Sequence, residues 1–221
     1  MDKKAKARPP SGLSRQAIAG RAQKLAQELK KLFPNPKTPL NHSNPWELYV
    51  AVALSAQQTD VGVNKVTEEL FKKYKTLDDY RKASLEEFDE DIKRINFHKS
   101  KSKAIKNCAE ILVEKYNGKL PETMDELVAL PFIGRKTANV ILQEAFGKKE
   151  GIVVDTHVTR LSRLFGLTDQ KDAVKIEKDL MELLPKEYWH DLALGLIYYG
   201  RQYCTARCKH TECPLKEFIV S

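Results

Sequence analysis

Wherever the apolar residues of this chain keep a period, it is the period of a helix. Ile18, Ala22, Leu25, Leu29 and Leu32 recur at steps of four and three, a stripe that ends before Pro34. Asn44 and Pro45 read as a cap followed by proline at the first helical position, opening a helix through Leu54. Val63, Val66, Leu70 and Tyr74 mark another, and Ser84 with Glu87 frames a capping box for the helix carrying Phe88 and Ile92. Ala104, Ile105, Cys108, Ile111 and Leu112 mark a helix closed by Gly118, and further helices are expected over 172–183 and 187–202. No alternating apolar and polar run with hairpin turns competes with these, so the pattern predicts an all-α protein. There is no internal repeat and no low-complexity linker.

One stretch stands out because its polar residues are chemical. Thr123 and Glu126 form a capping box ahead of Leu127, Val128 and Leu130; Pro131 and Gly134 then punctuate the chain. Ala138, Ile141, Leu142 and Ala145 resume the helical spacing, and Gly147 ends it. With only four residues expected between the two helices, residues 123–146 predict a helix-hairpin-helix, whose second helix would offer its first amides to a phosphate. Lys136 falls in that helix's first turn, facing the unfavourable end of the macrodipole, and Arg135 adds like-charge repulsion. Both work against the charged form, and only a neutral amine is a nucleophile. Shortly afterwards Thr156 is expected to cap a helix through Leu161, Leu164 and Phe165, which sets Asp155 just outside a helix N-terminus, where an anion is favoured. On local pattern alone, a phosphate-gripping turn and a helix-capping aspartate explain the pair more simply than catalysis does.

Composition points the same way. The chain has 221 residues, with 38 Lys and Arg against 30 Asp and Glu, a net charge of +8. Its mass is 25.2 kDa and its pI about 9.2. That length supports one compact domain or two small ones, and the excess of positive charge suits a polyanion such as DNA or RNA. No apolar run approaches the ~20 residues of a membrane helix, and the basic first ten residues lead into no signal-peptide core. They read as a disordered basic tail for DNA backbone, on a protein expected to be monomeric, cytoplasmic and nucleoid-associated. The four cysteines are then not structural disulfides.

Leu-Pro-Phe-Ile-Gly-Arg-Lys-Thr-Ala-Asn (130–139) with Val-Asp-Thr-His-Val (154–158) resembles the endonuclease III family of helix-hairpin-helix DNA glycosylases. Leu-Ser-Ala-Gln-Gln-Thr-Asp (54–60), Val63-Asn64-Lys65, His98 to Lys101, Asn117-Gly118, Leu196 to Arg201 and Tyr203-Cys204 follow in matching order, so the resemblance spans roughly residues 30 to 215. It implies two helical lobes with a DNA cleft between them. Residues 38–148 would form a six-helix barrel carrying the hairpin, and residues 1–37 with 149–221 the second lobe. It also implies a bifunctional glycosylase and AP lyase in base excision repair, acting on oxidised, ring-saturated or fragmented pyrimidines and on abasic sites in duplex DNA. Lys136 would be the nucleophile and Asp155 its electrostatic partner. Gln57 would fill the hole left by the flipped base, or else be a helix-surface amide. Asp60 and His157 would support the pocket, although Asp60 serves equally as a helix cap and His157 as a structural histidine. Ile133, Gly134, Arg135, His98, Lys99 and Lys101 would contact phosphates.

The chain departs from the family in three places. Phe132 stands where the hairpin usually has glycine, which predicts a reshaped turn or a looser phosphate grip. Asn96-Phe97-His98 replaces the usual Gly-Leu-Tyr, leaving Phe97 either to wedge between bases or to pack in the core. Relatives often bind a [4Fe–4S] cluster on Cys-x6-Cys-x2-Cys-x5-Cys, whereas Cys204, Cys208 and Cys213 give Cys-x3-Cys-x4-Cys. His210 stands at one cysteine position and Ile219 near the last. Cys204, Cys208, His210 and Cys213 suggest a Cys3His zinc site of atypical spacing. The sequence favours no metal over a cluster, and a cluster over zinc, and the Lys136 chemistry requires none. Two other functions compete. A binding-only hairpin module would need neither Lys136 nor Asp155. A monofunctional glycosylase of the adenine or mismatch-thymine branch often lacks the lysine, and the adenine branch adds a domain too large for this chain.

Overall fold

A computed structural model describes residues 13–220; the basic tail expected at the N-terminus lies outside the described residues. Every regular element among them is helical: α1 (Arg15–Leu32), α2 (Pro45–Ser55), α3 (Asp60–Lys73), α4 (Leu77–Lys82), α5 (Leu85–Asp91), α6 (His98–Lys115), α7 (Met124–Val128), α8 (Arg135–Phe146), α9 (Thr156–Leu164), α10 (Ala173–Leu183) and α11 (Trp189–Gln202), with short 3-10 turns at Lys186–Tyr188 and Lys216–Phe218. None is long and apolar enough to cross a membrane.

The caps expected at α2, α5 and α7 form. Asn44 accepts from the Glu47 amide with Pro45 in the first turn, and Ser84 and Thr123 cap α5 and α7. The short helix α4, held by a reciprocal box of Thr76 and Asp79, has too few residues to show a period in sequence. Helix α7 stops at Val128, so six residues rather than four separate it from α8.

The helices fall into two compact units, one formed by Thr38–Glu150 and the other by the residues through Lys37 with those from Gly151 onward. In the first, α2 is apolar nearly all round and packs against α3, α6 and α8. Its core joins Tyr49, Val50 and Leu54 of α2 to Ile105, Cys108 and Leu112 of α6 and to Ala138, Ile141 and Leu142 of α8. A cluster of Trp46, Tyr74, Tyr80 and Phe88, with ring centroids 5.1–5.6 Å apart, fills the end nearer α4 and α5. Cys108 lies wholly inside this core, where burial pushes its thiol up to about 12.

In the second unit α11 packs against α1 and α9, and α10 against α1 and α9. Leu25 and Leu29 of α1, Leu161 of α9, Leu180 of α10 and Leu192 and Leu196 of α11 are fully buried. Close approach is built into α11: a Cβ on Gly195 would stand 2.8 Å from the Leu29 Cβ, and one on Gly200 2.5 Å from Nδ1 of His157.

Candidate active site and DNA-contacting loops

Ten helices, α1 to α10, divide by how they begin. Eight have a side chain accepting from a first-turn amide: Ser14, Asn44, Thr59, Thr76, Ser84, Thr123, Asp155 and Asp172. The two without such a cap, α6 and α8, begin with Phe97 and Gly134 and carry basic residues in their first turns. An uncapped helix start leaves amides oriented outward with nothing to accept from them, the arrangement that receives a phosphate.

At α8 this follows from the hairpin's construction. Ile133 is buried and pins the turn to the core, and Tyr49 Oη donates to the Pro131 carbonyl at 3.1 Å. Gly134 has extended backbone (φ −87°, ψ 173°), and a Cβ there would meet nothing within 4 Å. The fold therefore does not demand glycine at 134; what glycine provides is open access to the first amides of α8. Arg135 and Lys136 follow, both exposed. Phe132 takes a left-handed backbone (φ 60°), costly for an aromatic residue. The turn thus has the conformation a glycine would adopt, with the phenyl ring held outside at 48% exposure. Holding an aromatic residue in that region stores local strain in the turn.

Three other non-glycine residues of this unit share the left-handed conformation, Asn117 (φ 51°) and the loop residues Gln57 (φ 56°) and Phe97 (φ 59°). Gln57 lies exposed in the turn after α2 rather than on a helix surface, and Phe97 is 61% exposed rather than in the core. The two loops are tied together: Asn96 Nδ2 donates to the Gln57 carbonyl at 2.7 Å, and Gln58 Nε2 to the Arg94 carbonyl at 3.4 Å. Residues this bulky are held in that backbone region only where the surroundings impose it.

Lys101 has a different place from the one its motif suggests. It is 1% exposed, and its Nζ donates to the carbonyls of Leu54 at 2.8 Å and Ala56 at 2.7 Å. It closes the C-terminus of α2 and fixes the turn that presents Gln57, and burial lowers its pKa. Of the basic residues around the start of α6, Lys99 is exposed, whereas His98 is half-buried with Nδ1 2.8 Å from Asp89 Oδ1. Ser102 donates to the same oxygen at 3.1 Å. Asp60 begins α3 behind the Thr59 cap and does not cap the helix itself.

In the other unit, Ile152, Val153 and Val154 are buried and deliver the chain to Asp155. Asp155, not Thr156, caps α9: its Oδ1 accepts from the Val158 amide at 2.9 Å. The capping bond holds the half-buried carboxylate in a fixed orientation at the positive end of a helix. His157 packs over Gly200, and its pKa is lowered by burial first and then by Arg201 and Arg160, against the opposing pull of Asp155.

Past α11, Cys204, Cys208, His210 and Cys213 converge, with one donor atom from each within 4.8 Å of the others. Cys204 Sγ lies 3.4 Å from His210 Nδ1, and Cys208 Sγ 3.1 Å from Cys213 Sγ. Arg160 of α9 reaches this cluster, with Nη1 3.5 Å from Cys204 Sγ and Nη2 donating to the Cys204 carbonyl. Nothing in the sequence distinguishes Arg160, nor Asp89, which steadies His98. Lys101, by contrast, was marked: it falls on the same helical face as Ala104, Ile105 and Cys108.

Residues 50–186 match the family described as HhH-GPD superfamily base excision DNA repair protein. Endonuclease III of Bacillus subtilis is 49% identical over 83% of this chain and 84% of its own length, and that of Escherichia coli 41% identical over 81% and 84%. The chain therefore belongs to the endonuclease III family within that superfamily. Among solved structures, a trapped endonuclease III–DNA covalent intermediate is similar at 42% identity and a TM-score of 0.85, over 94% of this chain and 96% of that one. A non-covalent endonuclease III–DNA complex has the same identity and TM-score, over 94% and 95%.

Proposed function

We propose that this DNA glycosylase and AP lyase works through Lys136 as nucleophile and Asp155 as the carboxylate that steadies positive charge on the sugar. The observation that carries the reading is the contrast in how α8 and α9 start. Lys136 is exposed in the first turn of an uncapped helix, and Asp155 is itself the cap of the next. Neutral Lys136 attacks C1′ and expels the base, and loss of its proton with opening of the sugar gives an imine. Asp155 offsets the positive charge that develops on the sugar as the glycosidic bond lengthens. The imine acidifies C2′; removal of that proton breaks the C3′–oxygen bond and nicks the strand. Lys136 itself supplies this chemistry, and no step calls on a metal.

The base must leave the stack to be reached, which costs least for damaged bases. Phe97 is proposed as the wedge and Gln57 as the residue that takes the vacated space, since both are exposed tips of loops tied by Asn96. Gly134, Arg135 and Lys99 are proposed to hold phosphates, Ile133 through its backbone. Asp60 is proposed to line the pocket. The substrate class proposed is oxidised pyrimidines in duplex DNA together with abasic sites, which places the enzyme at the chromosome inside the cell. That a relative 42% identical was trapped as a covalent DNA intermediate supports the covalent route.

Borohydride trapping on duplex DNA containing one oxidised pyrimidine tests the reading. The expected result is a covalent adduct with the wild type and none with Lys136→Gln. Wild-type protein that excises the base without forming an adduct would overturn the lyase mechanism.

A further inference from the structure

We propose that Cys204, Cys208, His210 and Cys213 bind a single zinc ion, which takes the place in this chain of the four-iron cluster carried by many relatives. The residues do not fit a cubane. Such a cluster needs four cysteine thiolates, and the loop supplies three. The remaining cysteine, Cys108, is locked in the core of the other unit. A cube of iron and sulfide also stands its ligands further apart than a lone ion does. Here one donor atom from each residue lies within 4.8 Å of all the others.

That spacing fits one tetrahedral ion. Zinc–sulfur bonds of about 2.3 Å set tetrahedral vertices roughly 3.8 Å apart. The observed separations bracket this: 3.1 Å for Cys208 to Cys213, 3.4 Å for Cys204 to His210 and 3.9 Å for Cys213 to His210. Three thiolates with one imidazole is a closed structural zinc set, and soft thiolates with imidazole suit zinc over magnesium or calcium.

Three further features belong to a ligand shell. His210 is held in the left-handed region (φ 62°), which turns Nδ1 toward the sulfurs at a conformational cost. Its backbone amide donates to Cys208 Sγ at 3.3 Å, as amides do to metal-bound thiolates. Arg160 lies against Cys204, where its charge offsets the net negative charge of a zinc ion with three thiolates. The segment from Tyr203 to Leu215 has no helix or strand of its own to order it, so an ion closing four contacts supplies what regular structure does not. Because Arg160 belongs to α9, the ion also braces the helix that Asp155 caps.

The test is elemental analysis of the purified full-length protein from cells grown with both iron and zinc. About one zinc per chain and no iron or acid-labile sulfide is expected. Titrating the thiols with a mercurial should release that zinc to a chromogenic chelator, and cobalt substitution should give the visible bands of a tetrahedral thiolate site. His210→Cys should retain the zinc, while Cys213→Ser should lose it without loss of helical content. Iron with stoichiometric sulfide would overturn the proposal, as would metal-free protein whose Cys208 and Cys213 are disulfide-bonded or freely reactive in the native state.

Discussion

Helices α8 and α9 begin in opposite ways. The first starts at Gly134 with no side chain over its amides and cations in its first turn; the second starts at Asp155, whose carboxylate is the cap. A helix start binds whichever anion it is given. Where the chain supplies one, as at α9, the carboxylate is fixed as part of the fold. Where it supplies none, as at α8, the amides stay available to an outside phosphate, with Arg135 and Lys136 exposed beside them. The same end effect thus holds an anion in one place and leaves room for a substrate in the other.

The largest effect should come from separating charge from capping at α9. Asp155→Asn keeps a good N-cap, so thermal stability should change little, while base excision falls on the order of a hundredfold or more. Asp155→Ala should lose the same activity and about 1 kcal/mol of stability besides, measurable by denaturant unfolding. Equal activity in the Asp155→Asn variant and the wild type would reduce Asp155 to a cap.

At a third terminus the chain closes its own carbonyls. Lys101→Met should leave those of Leu54 and Ala56 without their donor, costing about 1–3 kcal/mol in stability and lowering excision by loosening the Gln57 turn. Unaltered stability would mean that the lysine does not hold α2.

Giving α8 the start that α9 has is a gentler change. Gly134→Asp fits the observed backbone and should alter stability by only a few tenths of a kcal/mol, while weakening duplex affinity about tenfold at fixed salt. Unweakened binding would show that the amides of α8 meet no phosphate.

The smallest effect concerns pH. Burial and two arginines hold the His157 pKa below its unfolded value, so the folded state takes up its proton less readily than the unfolded chain. The stability it contributes is fully present above the unfolded value near 6.5 and is lost as pH falls through the lower folded value. His157→Gln should flatten the slope of stability against pH just below 6.5 in urea melts; an unchanged slope would remove His157 as its source.

The apolar stripes and the caps at Asn44, Ser84 and Thr123 were legible in the sequence because each is a local rule, and so was the placement of Lys136 in a first turn, whereas the α9 cap was read one residue late, at Thr156 instead of Asp155. Helix α4 escaped notice through brevity, and α7 ended sooner than its pattern suggested. Lys101 was misread as a phosphate contact because its motif outweighed the helical face on which it sits. Phe132 and His210 could not be read at all: their left-handed backbones depend on what surrounds the loop, and bulky side chains argue against that region. The cysteine loop looked degenerate as a cluster motif, and only the convergence of its donors distinguishes a different site from a lost one.

The most direct test of the central claim is to locate the covalent bond. A borohydride-trapped complex with duplex DNA carrying an oxidised pyrimidine is digested, and the modified peptide is sequenced by mass spectrometry. The deoxyribose remnant should lie on Lys136, in the first turn of α8. A remnant on any other lysine, or on an N-terminal amine, would contradict the account.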